Sequence, residues 1–239
     1  MNTEQLVVAG TPVEIHRKKI KNLHVGVYPP DGRVRVAAPA SISIDAIRIA
    51  VLTRMDWIRR KQSGFVAQER QSVRRYVSGE THFVFGRPLR LSVVEWDKKV
   101  HRISLAGNDR LCLSVPRGSD RTDRGRWLRT WRRARLREVA AQKIEKWSRR
   151  LEVTPGRWGI REMKTKWGSC NPQNRTIWLN LELSKKPVET VDYIVLHEMA
   201  HLISARHDER FLSLLDEHMP TWRQVRSDLN AMPLPAWLE

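Results

Sequence analysis

The stretch YIVLHEMAHLISARHDERF, residues 193–211, places three histidines and a glutamate within a short, largely apolar run. His197 and His201 are four positions apart, so on a helix they project from the same face, one turn apart. Two imidazoles at that spacing can both reach one zinc ion at a Zn–N distance of about 2.0–2.1 Å. Glu198 is displaced by about 100° around the helix axis, so it would flank the ion and hydrogen-bond a metal-held water.

The third ligand has to come from beyond this helix. His207 follows the expected helix end, and a tight reversal of the chain would bring it back to the ion. Three protein ligands leave one coordination position for water, which is typical of catalytic zinc rather than structural zinc. The alternative interpretation keeps His197 and His201 as core histidines of an apolar helix. In that case each buried ring needs its own polar partner, whereas one metal ion would satisfy both.

Composition limits the class of protein. The chain has 239 residues, of which 41% are hydrophobic and 29% charged, as in ordinary globular proteins. No segment approaches the run of about 20 apolar residues that crosses a membrane. The N-terminal apolar run LVVA, residues 6–9, is too short for a signal peptide. Two cysteines, Cys112 and Cys170, provide no disulfide framework and fit a reducing compartment. These features predict a cytoplasmic protein.

The first half of the chain is predicted to be rich in β-structure. Alternating apolar residues predict a meander of three strands at 12–18, 22–28 and 33–38. A helical pattern covers 43–62, and four further short strands are expected at 82–86, 89–96, 101–107 and 110–116. No internal repeat is evident. The polar segment 117–125 is expected to separate this β-rich region with one helix, residues 1–116, from a second domain, residues 117–239.

The second half predicts an α+β domain. Its expected elements are a basic helix at 124–150, strands at 157–163 and 176–183, a helix from Pro187 to about Ser204, and a helix from Asp208 to Pro220. Strict alternation within 176–183 predicts a half-buried antiparallel strand.

The segment WGSCNPQNRTIWLNLELSKKPVETVDYIVLHEMAHLISARHDERF, residues 167–211, resembles the YgjP-like metallopeptidase domain, a minimal zincin related to SprT-like proteases. Residues 17–43 and DWIRRKQ, residues 56–62, resemble the leading region of the same family. The resemblance implies an α+β zincin-like fold, with an HExxH helix and a small antiparallel sheet after a β-rich N-terminal region. It also implies that His197, His201 and His207 bind zinc and that Glu198 is the general base. Ser204 stands where metzincins have a glycine, so metzincin details such as the methionine turn are not transferred.

A zinc-dependent metallopeptidase is therefore the expected function. Zinc would activate its water and polarise the scissile carbonyl, while Glu198 accepts the water proton and passes it to the leaving amine. The substrate would be a peptide or protein whose backbone pairs with an exposed strand edge, and the family analogy offers strand 176–183. His218 and Arg223 are considered as a second oxyanion donor, and neither is assigned.

Net charge supplies the alternative function. Lys and Arg number 44 against 26 Asp and Glu, which gives +18 and a pI near 10.8. Trp127, Trp131 and Trp147 are interleaved with arginines in the basic helix. The alternative is a basic nucleic-acid-binding protein with a structural or vestigial zinc site, whose binding would be sequence-tolerant and salt-dependent. The competing interpretation is that the charged faces are simply solvated. The natural substrate and the oligomeric state do not follow from the sequence.

Overall fold

The computed structural model describes residues 3–28, 31–67 and 74–232. Six helices and eleven strands occur in these residues, so the predicted α+β class is confirmed. The described residues form two compact units, one up to residue 67 and the other from 74 to 231. The domain division expected at 116/117 lies within the second unit and stays a prediction. No helix in the described ranges is long and apolar enough to cross a membrane.

The first unit pairs a four-stranded sheet with two helices. Its elements are β1 (Thr3–Val8), β2 (Thr11–Arg17), β3 (His24–Tyr28), β4 (Arg33–Ala38), α1 (Ile44–Leu52) and α2 (Met55–Ala67). The strand order is β1-β2-β4-β3, and β2 is parallel to β4, so the predicted meander is wrong. Burial explains the order, because β4 buries Val34, Val36 and Ala38 whereas no residue of β3 is fully buried. The expected helix 43–62 is divided, since α1 ends before Thr53 and α2 begins at Met55.

A second four-stranded sheet repeats this topology within the second unit. Its strands are β5 (Thr81–Val84), β6 (Arg87–Trp96), β7 (Arg102–Ala106) and β8 (Arg110–Pro116). The order β5-β6-β8-β7 and the pairing directions match those of the first sheet. Both first hairpins turn through two residues of positive φ, Ala9–Gly10 (46° and 78°) and Phe85–Gly86 (47° and 80°). An internal repeat is thus present, contrary to the expectation from the sequence.

The rest of the second unit carries the residues around the HExxH motif. Its elements are α3 (Arg121–Arg150), β9 (Arg157–Arg161), β10 (Gly168–Asn171), β11 (Thr176–Asn180), a turn of 3₁₀ helix (Leu181–Lys185), α4 (Val188–Ala200), α5 (Glu209–His218) and α6 (Trp222–Ala231). The central strand β11 is antiparallel to β10 and parallel to β9. It ends at Asn180, earlier than predicted, because the Asn180 side chain accepts the N–H of Glu182 and caps the 3₁₀ turn. The pattern of apolar residues did not predict strand β10, because it placed these residues in the connection between two strands.

Asp192 fixes α4 against the long basic helix. This carboxylate is 8% exposed. Its Oδ1 accepts the indole N–H of Trp147 at 2.6 Å, and its Oδ2 accepts from Lys146 at 2.8 Å and Lys143 at 3.2 Å. Trp147 itself is fully buried in the core beneath α4. The helix that carries His197 is therefore held by a satisfied buried carboxylate as well as by apolar packing.

A buried histidine connects the second sheet to α3. His82 is 1% exposed, with Arg132 Nη2 3.0 Å from its Nδ1 and Glu80 Oε2 3.1 Å from its Nε2. A guanidinium can only donate, so Nδ1 accepts and the ring proton lies on Nε2, where it is donated to Glu80. Burial, together with the charges of Arg132 and Arg74, lowers the pKa of His82 to about 4, against the opposing effect of Glu80. His82 is thus a neutral link between two charged side chains.

Candidate metal centre

Helix α4 places the first two histidines on one face. His201 directly follows α4 but keeps right-handed helical angles (φ −66°, ψ −17°), so its spacing from His197 stays helical. The two ring centroids are 5.0 Å apart. Helix α4 ends at Ala200, four residues before the position expected from the sequence.

A short turn returns the chain to these rings. The N–H of Ser204 donates to the carbonyl of Ala200 at 2.9 Å, and Ser204 Oγ lies 2.8 and 2.9 Å from the two carboxylate oxygens of Asp208. Asp208 also caps α5 by accepting the N–H of Phe211 at 2.9 Å. With the turn fixed in this way, His207 Nε2 lies 3.1 Å from His197 Nε2. The reversal predicted from the sequence is present.

Phe211 supports all three imidazoles. Its ring centroid lies 5.0 Å from that of His197 and 4.7 Å from those of His201 and His207. The side chain is 1% exposed, so it is an apolar support below the cluster rather than part of its surface. Packing against a common ring restricts the orientations that the three histidines can adopt.

The three histidines fit a single metal ion. Two nitrogens bound tetrahedrally to zinc at about 2.0–2.1 Å would be about 3.3 Å apart, close to the 3.1 Å between His197 Nε2 and His207 Nε2. His201 Nδ1 lies 3.1 Å from the Ser204 carbonyl and must donate to it, which leaves Nε2 of His201 as a lone-pair donor. The candidate ligand atoms all lie within 4.8 Å of one another, and no further His, Cys, Asp or Glu of the described residues belongs to the group.

Electrostatics favour the neutral imidazoles that metals require. Burial, with contributions from His201, His207 and Arg226, lowers the pKa of His197 to about 3. Burial also lowers the pKa of His201, partly offset by its hydrogen bond to Ser204. Since only an unprotonated imidazole nitrogen can bind a metal, both side chains are in the required form at neutral pH.

Glu198 is held beside this cluster by strand β10. Its side chain is 5% exposed, and burial raises the pKa of its carboxyl to about 8 against the opposing charge of Lys166. A Cβ placed on Gly168 would lie 2.5 Å from Glu198 Oε1 and 2.7 Å from Cγ. The carboxyl group therefore packs against the glycine backbone. The sequence signal was a glycine between Trp167 and Ser169, since glycine within a strand often marks close approach by another group.

A cavity of about 380 Å³ opens over the histidines. One wall is formed by residues 166–170 and Pro172, and the other includes Tyr193, Arg226 and Leu229 of α4 and α6. Sequence reasoning missed Tyr193 and Arg226. Tyr193 could have been found, because it lies four residues before His197 on the same helix face. Nothing in the sequence of α6 indicated Arg226.

The two residues considered as oxyanion donors are not among those that line the cavity. His218 packs its ring edge-on against Trp147, with centroids 6.1 Å apart. Arg223 forms an ion pair with Asp216. His218 thus contacts Trp147 of α3, and Arg223 of α6 contacts Asp216 of α5, so both side chains contribute to packing between helices.

The strand offered for substrate pairing also requires correction. Both edges of β11 are already paired, with β10 on one side and β9 on the other, so β11 cannot accept a further strand. Strand β10 is at the edge of this sheet, and its residues Gly168, Ser169 and Cys170 line the cavity. The strand 176–183 that the family analogy offered is therefore unavailable for pairing, and β10 is an edge strand of the same sheet.

Comparison with known proteins identifies the family. Two solved structures with similarity are the metallopeptidase zymogens of Pyrococcus abyssi (abylysin) and Methanocaldococcus jannaschii (jannalysin). Each is 19% identical; they cover 40% and 39% of this chain and 99% and 92% of their own chains, with TM-scores of 0.35 and 0.34. No curated protein sequence matches significantly. The sequence profile of the YgjP-like metallopeptidase domain matches residues 21–232, and the chain therefore belongs to that family.

Proposed function

We propose that the protein is a zinc-dependent peptidase in which His197, His201 and His207 bind the ion and Glu198 is the general base. The observation that carries the proposal is the convergence of three imidazoles below an open cavity, with a buried carboxyl group beside them. Membership of a metallopeptidase family implies a metal ion. Zinc is proposed because three histidine nitrogens and one position left for water are typical of catalytic zinc.

The chemistry divides between the ion and the protein. When bound, zinc would lower the pKa of water towards about 7 and polarise the scissile carbonyl. The positive charge of the bound ion would favour the ionised form of Glu198, against the effect of burial. In that form Glu198 accepts the proton of the attacking water and delivers it to the leaving amine. Gly168 keeps the carboxyl group close to the cluster because no side chain separates Glu198 from the backbone of β10.

The substrate is proposed to be a peptide segment that adds to the free edge of β10. Backbone hydrogen bonds to an edge strand supply affinity with little dependence on side chains. Since residues 168–170 both form this strand and line the cavity, an added peptide would run past the histidine cluster. Cleavage of extended or locally unfolded protein segments follows from this arrangement.

Substitution of the base tests the proposal. We expect Glu198→Gln to retain zinc, because Glu198 is not a ligand, and to lower the rate of peptide cleavage by about 10²–10⁴-fold. Cleavage of casein and of a peptide library would be measured beside the zinc content of the purified protein. Glu189→Gln is the matched control, since this exposed residue lies on the same helix but outside the cavity. Wild-type cleavage rates in the Glu198→Gln protein would exclude Glu198 as the base.

Binding to nucleic acid is a second candidate function, with a structural or vestigial zinc site. The tryptophans of α3 do not support it, because Trp147 is fully buried and Trp127 and Trp131 pack against the core of the second sheet. One contact between β9 and β11 favours nucleic-acid binding. The guanidinium carbon of Arg161 on β9 lies 3.4 Å from the centre of the Trp178 ring on β11, and further arginines lie nearby.

This surface resembles the mixed aromatic and basic surfaces that bind single strands. Arg157, on the same face of the sheet, lies 5.6 Å from the Trp178 ring. Stacking and phosphate contacts would give sequence-tolerant affinity that falls steeply with salt. Binding of a labelled single-stranded oligonucleotide between 50 and 300 mM salt would be compared for wild type and a Trp178→Leu, Arg161→Gln variant. Equal affinity of the two proteins would reject this surface.

A further inference from the structure

The cavity over the histidines contains an imbalance of charge. Among its lining residues Glu198 is the only carboxylate, and it is buried and assigned to proton transfer. Lys166 and Arg226 also line the cavity, and both side chains are exposed. Neither forms an ion pair or side-chain hydrogen bond with any other described residue. Among the described residues, these two cations are therefore not engaged by other side chains and are available to bind a ligand in the cavity.

The two cations belong to different walls. Lys166 lies in the loop before β10, where the Asn180 side chain donates to its backbone carbonyl at 2.7 Å and fixes the loop. Arg226 lies on α6, between the buried residues Val225 and Leu229 that anchor this helix. Both backbones are therefore held, and both residues line the same cavity.

Each cation is close enough to the site to influence it electrostatically. The Arg226 charge acts on Tyr193 and His197, and the Lys166 charge acts on Glu198. A ligand that reaches the histidines would thus come within range of one or both cations. A carboxylate on such a ligand would replace part of the water around an ammonium or guanidinium group with a charge-assisted hydrogen bond.

We propose that Lys166 and Arg226 bind substrate carboxylates, so that the protein selects peptides with a carboxylate close to the bond placed over the histidine cluster. The carboxylate is either an Asp or Glu side chain or the C-terminus of the peptide. This inference rests on the proposed peptidase function for its substrate class. It assigns selectivity to side chains on the cavity walls, whereas backbone pairing with β10 is indifferent to side chains.

Equilibrium binding separates selectivity from chemistry. The Glu198→Gln protein with bound zinc would be titrated with fluorescent peptides of one neutral sequence. One series carries Glu or Gln at successive positions, and the other ends in a free carboxylate or in an amide. We expect at least about fivefold tighter binding of the carboxylate member in one series, decreasing as salt rises, as for partly exposed ion pairs. The series that responds identifies the source of the carboxylate.

Charge-neutral variants then test the two residues. Lys166→Gln and Arg226→Gln together should abolish the preference, and each alone should reduce it. Arg110→Gln removes one exposed charge outside the cavity in the same compact unit, and it should leave the preference intact. Equal affinity for carboxylate and amide peptides would overturn the inference, as would a preference that survives the double substitution.

The outcomes distinguish this inference from the proposed function. Wild-type protein that cleaves peptides without any preference for a nearby carboxylate overturns the inference alone. Selective carboxylate binding without cleavage of any peptide overturns the peptidase function alone, and leaves a carboxylate-selective peptide-binding site.

Discussion

Replacing Gly168 with alanine should disable Glu198 without removing the metal ligands. The added Cβ would lie 2.5 Å from Glu198 Oε1 and 2.7 Å from Cγ, whereas ordinary contacts begin near 3.4 Å. The carboxyl group would therefore have to move by about 1 Å. Because Cγ is also too close, rotation of the terminal carboxyl group alone does not relieve the contact. Misplacement of a catalytic group by about 1 Å costs about 10²-fold in rate.

Steady-state kinetics and metal analysis would measure this effect separately. We expect kcat for a peptide substrate to fall by about 10²-fold, with zinc content and KM close to wild type. Gly156→Ala is the matched control, because a Cβ there meets its nearest neighbour, the Asn174 carbonyl oxygen, at an ordinary 3.5 Å. In a Glu198→Gln background the Gly168→Ala substitution should cause no additional loss, since the group that it displaces has already been disabled.

The refuting result follows from the same geometry. A Gly168→Ala protein with wild-type kcat and full zinc content would show that β10 yields rather than the carboxyl group. The reasoning that the glycine positions Glu198 would then be wrong. Loss of zinc together with activity would also contradict it, because Gly168 would then support the ligands rather than the base.

Three further predictions concern the structure around the site. Asp192→Ala leaves the Trp147 indole N–H and two lysines without their buried acceptor, and should lower the free energy of unfolding by about 3 kcal/mol in denaturant titrations. The pKa of His82 is lowered from 6.5 to about 4 in the folded protein, so as pH falls His82 becomes protonated at a higher pH in the unfolded chain than in the folded one. The contribution of His82 to the free energy of unfolding should therefore decrease by about 2 kcal/mol from pH 7 to 5, measured as the difference between wild type and His82→Gln in denaturant titrations at the two pH values. Asp208→Ala breaks the bonds to Ser204 and to α5, and should weaken zinc affinity by about 10–100-fold in competition with a chelator, whereas Asp208→Asn keeps an acceptor and should lose less.

The convergence of the three histidines could be predicted because their geometry is local. The spacing of His197 and His201 fixes their common face once the segment is helical. The third ligand needed only one further inference, a reversal before His207, and Asp208 was expected to cap the next helix. Both features depend on residues within one short segment, and the structure contains both.

The sheet arrangements could not be predicted in the same way. Alternation identified most strands of the first two sheets, but alternation does not say which strands are neighbours. A meander and the observed order β1-β2-β4-β3 require the same pattern of apolar residues. The repeat was missed for a related reason, because the two copies share topology and turn geometry while their residues differ at most positions.

Strand β10 shows a different limit. Its four residues, GSCN, have weak strand propensity, and it forms because β11 supplies a partner for each of its residues. Glu198 then packs against Gly168, a residue thirty positions earlier in the chain. A contact of this kind follows from tertiary pairing and is invisible to any local pattern.

This division between local and distant residues has a functional consequence. The proposed metal ligands lie within 193–211, whereas the glycine that packs against Glu198 and the two cations that line the cavity lie in 166–168 and on α6. Substitutions in these distant elements leave the imidazoles and their support by Phe211 in place. Rate should therefore vary through Gly168 and selectivity through Lys166 while metal affinity stays constant, because neither residue shares a hydrogen bond with the three histidines among the described residues.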